Sequence, residues 1–207
     1  MSERGLFWGG MAAGALVLGA SVLFTVPGLV PARAEEPVAD GPGPNLVLEV
    51  GGGVSGRIVI DLLPEIAPKH VERLETLAAE GAYNDVVFHR VIDGFMAQTG
   101  DVQFGKKGSD TRMAGMGGST LPDLPAEFSD VPFRRGTVGM ARAQDPNSAN
   151  SQFFIMFAPG DFLNGQYTVV GQVVAGMDVV DALKKGDANQ NGAVSEPDFI
   201  VNATVEK

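Results

Sequence analysis

The chain has 207 residues and 44% of them are hydrophobic, enough apolar material for one sizeable core and too much for a disordered polymer. Its 15 basic and 25 acidic residues give a formal net charge of −10 with the basic residues scattered, which argues against tracking along a phosphate backbone and makes nucleic acid an unexpected partner. Cysteine is absent, which excludes a disulfide framework, a thiol nucleophile, a thiolate metal site and an acylated N-terminal cysteine.

The chain begins with an export-like segment. Residues Leu6 to Val30 carry no charge and are rich in Ala, Val, Leu, Gly and Phe. Pro27 follows the most apolar part, and Ala32-Arg33-Ala34 has the small-x-small pattern of a secretory cleavage site. Residues 1–34 therefore read as a signal peptide removed before Glu35. An uncleaved N-terminal anchor is the alternative, because the apolar run is long enough to span a bilayer. In either case the remainder is expected to be periplasmic or secreted, touching a membrane only through that anchor. Without Glu3, Arg4 and Arg33 it keeps 13 basic and 24 acidic residues, a net −11.

Residues 35–45, with Pro37, Pro42 and Pro44 among glycines, read as a linker, and 46–207 as one folded domain. Leu46–Val50 and Arg57–Leu63 predict two strands joined by a turn at Gly51-Gly52-Gly53. Pro64 stops the second strand. Pro68 then opens a helix whose apolar face is Val71, Leu74, Leu77 and Ala78, with Gly81 ending it. Glu72, Arg73, Glu75 and Glu80 fall on its other faces, and His70 is expected at the surface. Val86–His89 and Phe95–Thr99 read as short strands around Asp93-Gly94. Residues 102–121 read as a long irregular loop. Thr137–Ala141, Phe153–Phe157, Tyr167–Val174 and Ile200–Val205 complete the strands, with a short helix over Asp178–Lys184. These elements predict a mainly β fold, a closed antiparallel eight-stranded barrel capped by two helices.

Two stretches concentrate the chemistry. Residues 88–101 place a fixed cation (Arg90), two large apolar side chains (Phe95, Met96) and an uncharged amide (Gln98) within nine positions. Ser151-Gln152-Phe153-Phe154-Ile155 adds a second amide and a second aromatic wall. Phe153 and Ile155 should face away from Phe154 into the core. No nucleophile–base pair is spaced for covalent catalysis. His89 reads as structural, and His70 and His89 make a poor metal pair. The arrangement suits a site that grips an apolar ring beside an amide.

Together the two stretches, in this order and spacing, resemble the cyclophilin-type peptidyl-prolyl cis-trans isomerases over about Leu46–Val205. The resemblance implies rotation of X–Pro bonds, with Arg90 as the catalytic group and no cofactor or metal. It assigns substrate-binding roles to Phe95, Met96, Gln98, Ala141, Arg142, Gln152, Phe154, Phe162, Leu163 and Tyr167. Because Phe95 and Met96 are adjacent, both line one pocket only if the strand twists or Met96 reaches round an edge. Phe162 and Tyr167 stand where many eukaryotic members have tryptophan and histidine, as in bacterial secreted members, which implies weak cyclosporin inhibition. Arg142 and Asn150 replace an asparagine and a glycine, and Arg142 is expected to serve through its backbone. The implied partners are proline-containing unfolded or exported polypeptides, with a monomer expected.

Two alternatives come from other classes. One is a chaperone or adaptor that holds proline-containing segments with little turnover. The other is a calcium-regulated protein. Residues 187–198 have the spacing of an EF-hand loop, with oxygens at positions 1, 3, 5 and 9, Gly192 at position 6 and Asp198 at position 12.

Overall fold

The computed structural model describes residues 38–207. The segment read as a signal peptide, residues 1–34, lies outside the described residues. Eight strands form one antiparallel sheet: β1 (Asn45–Gly51), β2 (Gly56–Leu62), β3 (Arg90–Ile92), β4 (Met96–Thr99), β5 (Thr137–Met140), β6 (Phe153–Met156), β7 (Val169–Ala175) and β8 (Phe199–Glu206). Their order across the sheet is β3-β4-β6-β5-β7-β2-β1-β8. The two end strands are linked by the chain just before β3: Phe88 N–H donates to the Asp198 carbonyl at 2.9 Å, and Ile200 N–H to the Val86 carbonyl at 2.8 Å. Val86–His89 is thus a bridging segment and not a strand of its own, and β3 begins at Arg90. It is drawn off by β8 on one side and by Lys106 on the other.

Helix α1 (Pro68–Ala79) packs on β8 and β1, and α2 (Met177–Ala182) on β2. Pro68 suits the first turn of α1 because it has no N–H to leave unpaired. No side chain at Ala67 caps that end. The carboxylate of Glu127, in the loop before β5, does so by accepting the N–H groups of Lys69 and His70. The same loop overturns the surface placement of His70, which is fully buried with Nδ1 2.7 Å from Glu127. Burial pushes the His70 pKa down, against the pull of Glu127. Arg73 is buried for the same reason, donating to the carbonyls of Pro122 and Asn150. The loop covers a second face of α1 that its own apolar spacing leaves polar.

Strand alternation divides the buried residues in two. Val91, Ala97, Val138, Phe153 and Ile155 face the main core with the inner sides of α1 and α2. Met96, Phe154, Met156 and Val169 face outward and form a second cluster with Phe133 and Leu163.

Candidate functional site

The outer face of β3, β4, β6 and β5 builds the site by register. The turn Asp93-Gly94-Phe95 joins β3 to β4, with Gly94 at φ 69° and Phe95 N–H bonded to the Ile92 carbonyl. That turn sets Arg90 opposite Gln98 and Ile92 opposite Met96. Gln98 then stands opposite Phe154, and Phe154 opposite Gly139. A Cβ on Gly139 would lie 2.6 Å from the Phe133 ring and 2.7 Å from the Phe154 ring. Only a residue without a side chain lets those two rings stack at 5.7 Å over β5.

The register also resolves the Phe95–Met96 problem. Phe95 lies in the turn and not on β4, so strand alternation does not apply to it, and both side chains pack on the outer cluster. Met96, Phe154 and Leu163 are at most 5% exposed and form its floor. Phe95 and the exposed Phe162 form its rim, ring centres 5.5 Å apart. Tyr167 meets Phe154 edge-on at 5.8 Å. Tyr167 in turn carries the Arg142 guanidinium 4.5 Å above its ring. The Arg142 side chain also donates to the carbonyls of Ala143 and Gln166, so it braces a loop and covers a ring.

A polar row borders this apolar patch. Arg90 Nη1 donates to Gln98 Oε1 at 3.2 Å, Gln98 Nε2 to Gln152 Oε1 at 2.9 Å, and Gln152 Nε2 to the Gly117 carbonyl at 2.8 Å. Its direction is fixed, because a guanidinium can only donate. Arg90 Nε and Nη2 donate to the carbonyl and Oδ1 of Asn191, at 3.0 and 2.9 Å. Burial lowers the Arg90 pKa, but a guanidinium remains charged at neutral pH. Beyond Gln98 and Gln152 opens a groove of about 570 Å³, bordered also by Ala141, Arg142, Asn150 and Met116. The predicted residues therefore divide: Gln98, Ala141, Arg142 and Gln152 line the groove, and the other substrate-binding candidates form the apolar patch beside it.

Several contributors escaped the sequence reading. Asp101 accepts the N–H groups of Gln103 and Phe104 on one oxygen and of Gly115 and Gly117 on the other, which folds residues 102–117 against the site. An aspartate opening a glycine-rich loop is a usable signal for such turns. Asn150 accepts from Ser119 and donates to Leu121 and Asp123, tying the same loop to β6. Phe133 gave no local signal, and Asn191 gave one only as position 5 of the EF-hand spacing. His89, next to Arg90, is buried and its pKa is pushed down to about 4, with Asp101 and the Val87 carbonyl pulling the other way.

The residues of the EF-hand spacing do not converge. Asp187 accepts from Asn189 N–H and Gln190, Asn191 from Arg90, and Asp198 from the N–H groups of Val54 and Lys184. Among the described residues no group of three or more His, Asp or Glu side chains is placed to hold a metal ion.

Comparison with known proteins gives one answer from three directions. The family described as cyclophilin type peptidyl-prolyl cis-trans isomerase/CLD matches residues 46–205. A Brucella suis biovar 1 protein named probable peptidyl-prolyl cis-trans isomerase is 65% identical over 153 residues, covering 73% of this chain and 78% of that protein. The crystal structure of cyclophilin AquaCyp293 from Hirschia baltica aligns with a TM-score of 0.65 at 27% identity, over 81% of this chain and 75% of that one. A Cryptosporidium parvum cyclophilin type isomerase, crystallised in the presence of the dipeptide Ala-Pro, aligns with a TM-score of 0.66 at 24% identity, over 79% and 99% of the two chains.

Proposed function

The chain belongs to the cyclophilin-type peptidyl-prolyl cis-trans isomerases, and from that premise we propose that it rotates X–Pro bonds of exported polypeptides, with Arg90 as the catalytic group. The barrier to peptide rotation is roughly 18–20 kcal/mol, and uncatalysed X–Pro exchange takes tens to hundreds of seconds. Twisting the bond breaks its resonance and localises the lone pair on the prolyl nitrogen. A donor aimed at that nitrogen binds the twisted state more tightly than the planar one, which lowers the barrier. Rotation transfers no atom, so the reaction calls for no cofactor.

The observation that carries the reading is the setting of Arg90. Three of its five N–H groups are held by oxygens of Asn191 and Gln98, and Nη1 also meets the weak acceptor Met96 Sδ at 3.8 Å, which leaves one N–H on Nη2, with the one turned to the thioether, for a substrate. The apolar patch of Phe95, Met96, Phe154 and Leu163 lies beside it and suits a proline ring. A peptide with its proline there extends past Gln98 and Gln152 into the groove. Exclusion of water by these rings strengthens the donor's effect on the developing lone pair.

The exported setting rests on residues 1–34. We read the mature chain as a monomer beginning at Glu35 in the periplasm or outside the cell, where unfolded chains arrive and slow X–Pro exchange limits their folding. Mass spectrometry of protein made with its export machinery should find that N-terminus. A full-length species in the membrane fraction would favour the anchor, and recovery in the cytoplasm would refute both.

A further inference from the structure

We propose that Asn191 is a positioning residue for Arg90, setting the orientation of the guanidinium from outside the sheet. The inference rests on Arg90 being the catalytic group. Asn191 supplies two of the three oxygens that hold the guanidinium, its carbonyl on Nε and its Oδ1 on Nη2, and Gln98 supplies the third. The cation is thus gripped along one side by a single residue 101 positions downstream, in the loop between α2 and β8.

Local structure shows why an asparagine does this. Asn191 has φ 53°, in the left-handed region that asparagine tolerates better than most residues with a side chain. In that conformation it turns both its oxygens to one guanidinium. The loop is fastened to β3 by backbone bonds: Val91 N–H to the Gly192 carbonyl, Gly186 N–H to the Val91 carbonyl, and Val194 N–H to the His89 carbonyl. Asn191 therefore sits on a support fixed to the strand that carries Arg90. At the far end of the polar row, Gly117 is held by Asp101. The row runs one way from the cation to the Gly117 carbonyl, so Asn191 is the acceptor that closes its donor end.

Removing Oδ1 leaves the guanidinium on two oxygens and frees its plane to turn about the final side-chain torsions. A planar bound peptide makes little use of that orientation, whereas the twisted state depends on it. The loss should therefore fall on kcat and spare affinity.

Asn191→Gly in the full chain is the cleanest test, because glycine keeps the positive φ and the carbonyl and removes only the side-chain oxygen. Turnover is read by a protease-coupled X–Pro assay, affinity by calorimetry with a proline peptide, and folding by the thermal midpoint. The expected result is a kcat/KM lower by about tenfold, the scale of one hydrogen bond to a charged group, with peptide affinity within about twofold. Asn191→Ser, too short to reach the guanidinium, should behave alike if the glycine variant folds poorly. In an Arg90→Ala background the same change should cost nothing further. Wild-type turnover in both variants, or an equal loss in both backgrounds, would overturn the assignment of Asn191 while leaving Arg90 in place. Unchanged turnover in Arg90→Ala alone would remove the catalytic reading and this inference with it.

Discussion

On the inner face of β3, β4, β6 and β5, Val91, Ala97, Ile155 and Val138 stand opposite one another and are at most 1% exposed. On the outer face of the same strands, one residue along, stand Arg90, Gln98, Phe154 and Gly139. The inner row has to be apolar and fill its volume, and any sequence that does so will serve. In the outer row the order matters: a cation, an amide that accepts from it, a ring, and an empty position on which rings can stack. Strand alternation builds both rows at once, so the core that holds the sheet together also fixes the spacing of the site.

The sharpest way to break the comparison is Arg90→Ala. With its cation gone the outer row should lose on the order of 100-fold in kcat/KM, the scale of one preorganised donor, while far-UV circular dichroism stays as in the wild type. Near-wild-type turnover would dissolve the functional meaning of the outer face. The next test sets neighbours on opposite faces against each other. Ile155→Ala should lower unfolding free energy by about 2–5 kcal/mol with turnover per folded molecule nearly unchanged. Phe154→Ala should also destabilise, since the ring packs on Phe133 and Tyr167, and should in addition weaken proline-peptide affinity. Equal affinity losses in both variants would mean that the two faces are not functionally separate.

How much of this is legible in the sequence follows from the same geometry. The apolar alternation around Phe154 and the turn at Asp93-Gly94 are local, so the facing of Phe153 and Ile155 and the grouping of Met96 with Gln98 could be read directly. The extent of β3 could not, because Val86–Phe88 is as strand-like as Arg90–Ile92 and is diverted only by its long-range partners, β8 and Lys106. His70 and Arg73 look like surface residues on a helical wheel. They are buried by chain more than forty residues away: the loop before β5 supplies the Glu127 carboxylate and the Pro122 carbonyl, and the loop before β6 supplies the Asn150 carbonyl. Asn191 reads locally only as position 5 of the EF-hand spacing. Its role depends on a 101-residue separation that no local pattern encodes.

A smaller effect is expected beside Arg90. The pKa of His89 lies at about 4 because burial opposes its charge. The unfolded chain, with an ordinary histidine near 6.5, binds the proton more readily, so stability falls as pH drops through the window from about 6.5 to 4. Between pH 7 and 5 this amounts to about 2 kcal/mol. His70, also shifted down, adds in the same direction. Asp110, Asp161 and Asp181 are held below the ordinary carboxylate range by arginines and titrate mostly beneath this window. Urea unfolding at pH 7 and 5 should therefore show a smaller difference for His89→Gln than for the wild type. An unchanged difference would mean that His89 is not held neutral by burial.

The smallest effect concerns the rim, where the outer face meets solvent. Phe162 is 69% exposed and tilted against Phe95, so its ring edge is open to a ligand lying on the apolar patch. A phenyl ring has no hydrogen-bond donor, whereas an indole has one N–H. If cyclosporin lies across this rim, Phe162→Trp should tighten its inhibition by about tenfold at most, the net value of one hydrogen bond to a neutral acceptor. Turnover on a small proline peptide should hardly change, because the catalytic donor lies on β3 and the added N–H lies on the rim. Inhibition constants for the two proteins under one set of conditions decide it. Equal constants would place Phe162 outside the inhibitor's footprint and confine ligand recognition to the buried floor of Met96, Phe154 and Leu163.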